Sequence, residues 1–286
     1  AVRVGVGMSV AATVRGLVEL TRPVNTVAAG ALTFIGAFVA GGAFAEPAAT
    51  AAAVGATWFA TAAGMAINDY FDREVDRINN PERAIPRGAV SARGALAFSA
   101  VLFAGAVVLA VSLPPLALGI AAVNLLGLVT YTEFFKGLPG AGNALVAYLV
   151  GSTFLFGAAA VGDPLAGGVL AALAALSTFT REVIKDVEDV AGDREEGLRT
   201  LPIVVGERRA LVLGTALLVV AVLASPVPYL AGTFGVWYLV VVVPADAVMV
   251  AAAARSFDDP EAGQQLLKAG TFVAAVAFVV GRLAAP

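Results

Sequence analysis

Nine stretches of predominantly apolar residues run through this chain, near 24–44, 49–67, 95–113, 115–132, 143–161, 164–180, 209–225, 229–253 and 267–284. A helix needs roughly 20 such residues to cross the ~30 Å hydrocarbon core of a bilayer. Lipid offers no partner to a backbone N–H or C=O, so segments of this kind must be helical. The expected fold is therefore all-α, a polytopic membrane protein with nine transmembrane helices. Turn signals mark the joints: Glu46-Pro47, Leu113-Pro114-Pro115, Gly137-Leu138-Pro139-Gly140, Asp163-Pro164 and Ser225-Pro226. Only 14% of residues are charged, against about a quarter in soluble domains. No linker or second soluble unit interrupts the pattern, so residues 1–286 read as one domain.

The charges test this span count. With spans alternating in direction, 17 of the 18 Lys and Arg fall on the side of the N-terminus, and only Arg282 on the other. Basic loops stay in the cytoplasm, so the N-terminus and the charged loops are expected there, in a multi-pass protein of the cell membrane. The first 20 residues carry Arg15 and Glu19 and no continuous apolar core. The first span is thus expected to be its own anchor rather than a cleaved leader. A net charge of −3 gives no footing for a nucleic-acid partner, and no obligate protein partner is evident.

Histidine and cysteine are both absent. That removes thiolate nucleophiles, zinc–sulfur and iron–sulfur sites, and imidazole bases. A metal bound here must sit on oxygen, which favours Mg²⁺ or a similar hard cation.

The acids are as one-sided as the bases, with 18 of 21 on the same face. They concentrate in Asn68-Asp69-Tyr70-Phe71-Asp72-Arg73-Glu74-Val75-Asp76 and in Lys185-Asp186-Val187-Glu188-Asp189-Val190-Ala191-Gly192-Asp193. Asp69, Asp72 and Asp76 repeat as Asp186, Asp189 and Asp193 at a constant offset of 117, and Arg83-Ala84-Ile85-Pro86 is echoed by Arg199-Thr200-Leu201-Pro202 at 116. Four spans lie between the copies, which suggests a duplicated four-helix unit with one extra helix. Repeats of this kind place the working site at their interface. The i, i+3, i+7 spacing predicts three carboxylates on one helical face. Carboxylates so close repel unless a cation intervenes, and metal ions bridging carboxylate to phosphate oxygens are the usual Mg²⁺ arrangement.

These residues resemble the UbiA superfamily of intramembrane prenyltransferases. The resemblance rests on Asn68-Asp69-x-x-Asp72-x-x-x-Asp76 after the second span and Asp189-x-x-x-Asp193 after the sixth. Arg22-Pro23-x-Asn25 at the first span and Tyr131-x-x-x-x-Lys136 after the fourth also match. The stretches Ile78-Asn79-x-Pro81-x-Arg83-x-Ile85-Pro86-x-Gly88, Arg181-Glu182-x-x-Lys185-Asp186-x-Glu188-Asp189 and Gly197-x-x-Thr200-Leu201-Pro202-Ile203 look most like the archaeal branch that adds a second geranylgeranyl group to a glycerol phosphate lipid. Ala84 departs from the family, which often has Pro there.

The resemblance implies nine helices around a central cavity, a cap of cytoplasmic loop helices, and Mg²⁺-dependent transfer from a polyprenyl diphosphate to a lipid-like acceptor. It implies metal binding by Asn68, Asp72, Asp76, Asp189 and Asp193, with Asp69 and Asp186 as ligands or their supports. Diphosphate contacts fall to Lys136, Arg83, Arg22 and Lys185, and Tyr131 and Asn25 lie near the reacting carbon. An aromatic prenyltransferase of the same superfamily, acting on 4-hydroxybenzoate or a quinone or haem precursor, is the nearest rival. A CDP-alcohol phosphotransferase lacks its Asp-Gly-x-x-Ala-Arg core here. A secondary transporter would hold its ionisable groups at the midplane, where only Asp246, beside Pro244, qualifies; a polar contact at the proline kink is the expected role of that residue.

Overall fold

A computed structural model describes residues 10–135 and 137–285. The described residues fold into helices alone. In chain order these are α1 (Val10–Leu20), α2 (Pro23–Val39), α3 (Pro47–Phe71), α4 (Arg73–Asn79), α5 (Ala92–Ala110) and α6 (Pro115–Thr130). After a π-helical turn (Tyr131–Phe135) come α7 (Ala141–Ala160), α8 (Pro164–Glu188), α9 (Val190–Glu195), α10 (Leu201–Val205), α11 (Glu207–Ala224), α12 (Val227–Leu230), α13 (Trp237–Arg255) and α14 (Pro260–Leu283). All nine apolar segments are helical. Seven are long and apolar enough to span: α3, α5, α7, α8, α11 continued to Leu230, α13 and α14. An eighth, α1 with α2, is bent by 45°, and α6 has 16 residues, about 24 Å at 1.5 Å per residue.

Proline opens α2, α3, α6, α8 and α14, at the position where its missing N–H costs nothing. The boundaries differ from the sequence expectation where polar residues continue a helix past its apolar part. The segment expected at 49–67 runs on to Phe71, and the one at 164–180 runs on to Glu188. The segment expected from 229 begins instead at Trp237, because the turn at Gly232, with φ +73°, interrupts it.

Close packing of α2, α7 and α8 forms the centre. A Cβ on Gly36 would lie 2.1 Å from the carbonyl oxygen of Phe154, and one on Gly157 would lie 1.9 Å from that of Thr33. Such reciprocal contacts let backbones touch, as membrane helices require in lipid. Polar side chains staple the remaining seams: Thr33 with Thr57 at 2.8 Å, Ser99 with the Ala63 carbonyl at 2.9 Å, and Thr180 with the Gly214 carbonyl at 2.7 Å. The outer faces are apolar, with Val101, Val108, Leu126, Val220, Leu223 and Phe272 all exposed. In water such a surface would aggregate; here it faces lipid.

Between α3, α5, α6 and α7 lies a cavity of about 80 Å³, lined mainly by Ala, Leu and Phe with Thr57, Thr61, Asn124 and Thr153 as its polar members.

Candidate active site

Both acidic segments lie where a long helix gives way to a short one. Helices α3 and α8 each have 25 residues, and both their starts (Pro47, Pro164) and their ends (Phe71, Glu188) are offset by 117. Asp72 closes α3 and opens α4 with φ −77° and ψ 0°; Asp189 does the same between α8 and α9 with φ −88° and ψ 0°. The expectation of three carboxylates on one continuous face is corrected here, since the central aspartate of each triad is the joint between two helices. The joint is a bend rather than a gap. Asp72 and Asp76 N–H donate to the carbonyls of Asn68 and Asp72 at 2.9 and 2.8 Å, and Asp189 and Asp193 N–H donate to those of Lys185 and Asp189, each at 2.9 Å. Helical hydrogen bonding therefore continues through each joint.

In the first triad Asp69 and Asp76 are nearly inaccessible, 6% and 3% exposed, and buried carboxylates need partners. Arg22 Nη2 donates to Asp69 Oδ1 at 2.7 Å, Arg83 Nη1 donates to Asp76 Oδ2 at 2.6 Å, and the same Nη1 lies 3.6 Å from Asp69 Oδ1. Asn80 Nδ2 adds a bond to Asp76 Oδ1 at 3.1 Å. Arg22 reaches Asp69 from a left-handed backbone, φ 44° and ψ 70°, alone among the described non-glycine residues in having positive φ. That conformation costs roughly 1–2 kcal/mol for an L side chain, and Pro23 disfavours the right-handed alternative. The bend between α1 and α2 is the result.

Arg83 comes from the segment between α4 and α5, which folds back over the bundle. Ala84 and Val90 of that segment bury against Leu20, Ala66 and Ala95, and the Val90 N–H donates to the Ala84 carbonyl at 3.1 Å. The family-atypical Ala84 is thus a packed methyl group, and the turn carrying Arg83 is held without the proline.

The second triad is partnered differently. Asn143 Nδ2 donates to Asp186 Oδ2 at 2.8 Å, and Lys185 Nζ to Asp189 Oδ2 at 2.7 Å. Asp193 is half-buried on α9, and its carbonyl accepts from the Leu198 N–H at 2.9 Å. Asn143 was not anticipated. The signal that could have found it is the repeat, because Asn143 is the third residue of α7 as Asn25 is of α2.

Tyr131 is the first residue of the π-helical turn. Burial pushes its phenol up to about 12, and the charges of Glu182 and Asp186 from one segment and Asp72 from the other add to that rise, with Lys185 opposing. One aspartate from each acidic segment, Asp72 and Asp186, therefore lies within electrostatic reach of Tyr131. π-Helical turns are frequent at functional sites. Asn68 and Asp72 are half-buried at this end, and Asn25 is exposed on the first turn of α2. Lys136 lies outside the described residues.

The donor set suits a hard cation, being oxygen throughout with no His or Cys in the chain. Among the described residues no three acidic side chains are gathered closely enough to hold one metal ion. Arg22 and Arg83 lie on Asp69 and Asp76, and Lys185 on Asp189, so these carboxylates are paired with side-chain cations. Asp246 stands apart from the site. It accepts a hydrogen bond from Ser225 Oγ, and the Ser225 carbonyl accepts from the Tyr238 hydroxyl at 2.7 Å. That is the polar contact expected near Pro244.

Comparison with known proteins agrees with this geometry. The model of the UbiA prenyltransferase family matches residues 29–278. A digeranylgeranylglyceryl phosphate synthase of Halobacterium salinarum is 75% identical over 272 residues, covering 95% of this chain and 99% of its own. A solved structure concerned with digeranylgeranylglyceryl phosphate synthase in membranes superposes with a TM-score of 0.83 at 34% identity, over 95% of this chain and 99% of that one. A UbiA homologue from Archaeoglobus fulgidus, bound to GPP and Mg²⁺, shares the fold with a TM-score of 0.71 at 19% identity, over 94% of this chain and 99% of that one.

Proposed function

Because the chain belongs to the UbiA prenyltransferase family, we propose that it transfers a geranylgeranyl group from geranylgeranyl diphosphate to the free hydroxyl of geranylgeranylglyceryl phosphate, forming the second ether bond of an archaeal membrane lipid. It is a multi-pass membrane enzyme. The observation that carries the chemical reading is that Tyr131 feels the charge of Asp72 from one acidic segment and of Asp186 from the other, where the long helices α3 and α8 end. The one-sided distribution of Lys and Arg supports placing that end in the cytoplasm.

In this reaction the allylic C1–O bond of the donor breaks, its electron pair leaves with the diphosphate, and the acceptor oxygen bonds to C1 as its proton departs. Mg²⁺ supplies Lewis-acid stabilisation of the leaving charge, and Asn68, Asp72, Asp76, Asp189 and Asp193 would hold it, with Asp69 and Asp186 as further ligands or supports. Arg22, Arg83 and Lys185 each rest on a carboxylate of the site. Were these cations to turn to the diphosphate, the carboxylates they leave would be free to hold the metal; Lys136 is a further candidate for the diphosphate. The Tyr131 phenol stays protonated at working pH, so it can orient or stabilise charge at the reacting carbon but not act as base. A carboxylate of the triads is the candidate acceptor of the proton. The apolar bundle shields the allylic cation from water.

Purified protein incubated with geranylgeranyl diphosphate, Mg²⁺ and an equal mixture of geranylgeranylglyceryl phosphate and 4-hydroxybenzoate tests the reading. The expected product, identified by mass, is digeranylgeranylglyceryl phosphate. Prenylated 4-hydroxybenzoate as the main product would replace this acceptor with an aromatic one.

A further inference from the structure

The proposed reaction brings two anions to one end of the bundle, the diphosphate of the donor and the phosphate monoester of the acceptor. Arg22 and Arg83, which converge on Asp69, provide for one of them. A second arginine pair lies farther out and repeats the pattern. Arg15 Nε donates to Glu19 Oε1 at 3.0 Å, and Arg87 Nη2 donates to Glu19 Oε2. Glu19 thus gathers two guanidinium groups as Asp69 does.

Backbone bonds hold the two clusters in register. The Arg22 N–H donates to the Glu19 carbonyl at 3.0 Å, and the Arg87 N–H to the Arg83 carbonyl at 3.1 Å. The outer cluster is therefore displaced by about one turn on both sides. Two arginines on one glutamate leave a net charge of +1. Arg87 is also fixed by its bond from Nη1 to the Glu82 carbonyl at 2.6 Å, whereas the Arg15 side chain is 81% exposed.

A pocket of about 480 Å³ opens at this point, lined by Ala11, Ala12, Arg15, Arg87 and Ala89. Among the described residues its other lining positions are alanines, so Arg15 and Arg87 are the charged residues that line it there. Val10, Val14 and Val18 form an exposed apolar row along α1. An amphipathic helix of this kind lies in the membrane interface, at the depth of lipid headgroups.

We infer that Arg15 and Arg87 receive the phosphate monoester of the lipid acceptor, leaving Arg22 and Arg83 to the donor diphosphate. The inference rests on the acceptor proposed above. Arginine presents a planar fork that matches phosphate oxygens, and Glu19 holds the two forks together before the lipid arrives. Phospholipid headgroups carry similar chemistry, so the experiment separates them from the acceptor.

Steady-state rates are measured in phosphatidylcholine vesicles for wild type, Arg15→Gln, Arg87→Lys and the double variant. Geranylgeranylglyceryl phosphate and the phosphate-free geranylgeranylglycerol serve as acceptors. For Arg15→Gln the KM for the phosphorylated acceptor should rise about tenfold, equivalent to about 1.4 kcal/mol, while the KM for the donor holds. The difference between wild type and variant should vanish with the phosphate-free acceptor. An unchanged acceptor KM, an equal rise in donor KM, or a loss that persists without the phosphate overturns the inference. So does activation of wild type by added phosphatidylglycerol that the variants lose at unchanged acceptor KM, which would assign the pair to bulk lipid. Arg15 is exposed, so its variant decides the matter if those of Arg87 fail to fold. Wild type that turns over geranylgeranylglyceryl phosphate while the variants are indifferent overturns only this inference. Wild type that does not use that acceptor at all overturns the proposed function, and the inference with it.

Discussion

Replacing Arg83 by Ala isolates the charge balance of the first triad. The substitution removes a guanidinium that lies 2.6 Å from Asp76 and 3.6 Å from Asp69. Asp69 keeps Arg22 at 2.7 Å, whereas Asp76 keeps, among the described residues, the neutral amide of Asn80 at 3.1 Å. Breaking a buried ion pair by deleting one partner costs about 3–5 kcal/mol. The Arg83 side chain is 32% exposed and Asn80 remains, so solvent screening lowers the expected cost to about 2 kcal/mol. On the scale of domains of 150–250 residues that is about 4–8 °C in Tm. The assay is thermal unfolding in detergent by intrinsic fluorescence, with EDTA and with Mg²⁺. In EDTA the variant should melt lower than wild type by that margin. Mg²⁺ should close most of the gap, because a cation of the right hardness can replace the lost guanidinium on Asp76 and Asp69. Transfer activity should not return with it, since the arginine is also a proposed diphosphate contact. A variant that melts with wild type in EDTA, or that gains no more from Mg²⁺ than wild type does, would refute the reasoning.

Tyr131→Phe should lower turnover about tenfold without altering its pH profile between 6 and 9, since a phenol with a pKa raised to about 12 stays protonated there. The sign on stability follows from linkage. An unfolded tyrosine ionises near 10, so this contribution is intact below pH 10 and is lost as pH rises towards 12; alkaline unfolding curves of the two proteins should show it. Ala60→Phe, in the wall of the cavity between α3, α5, α6 and α7, should slow transfer of a C20 chain more than of a C10 chain. That cavity lies two to three turns below Asp69 on α3 and is small beside the ~300 Å³ of ordinary ligand pockets; equal slowing of both donors would exclude it as tail space. Asp246→Leu should cost about 1–3 kcal/mol of stability by stranding the Ser225 hydroxyl, and at permissive temperature transfer should proceed as in wild type.

Much of the fold was legible because lipid leaves helices few alternatives. Each apolar segment became a helix, and prolines such as Pro47 and Pro164 set the starts. Helix ends were less legible, because hydropathy marks where lipid stops rather than where hydrogen bonding stops. The ends at Phe71 and Glu188 lie beyond the apolar run for that reason. At the site, the 117-residue offset exposed the matched aspartates. It could not reveal that Asp72 and Asp189 sit at bends, since i, i+3, i+7 spacing reads as one continuous helix. Nor did local pattern reveal Asn143, a single amide at the start of an apolar segment, whose role depends on α7 packing beside α8. Lys185 was read as a phosphate ligand, and its bond to Asp189 shows the state in which it neutralises a carboxylate instead.

The central claim is that two aspartate segments, 117 residues apart, work as one site. Its most direct measurement is the rate of digeranylgeranylglyceryl phosphate formation by Asp72→Ala and by Asp193→Ala, each checked for wild-type melting and monodispersity, in saturating Mg²⁺. Both variants should be inactive while folded. Near-normal turnover by either one would contradict the claim, because that half of the repeat would then be dispensable.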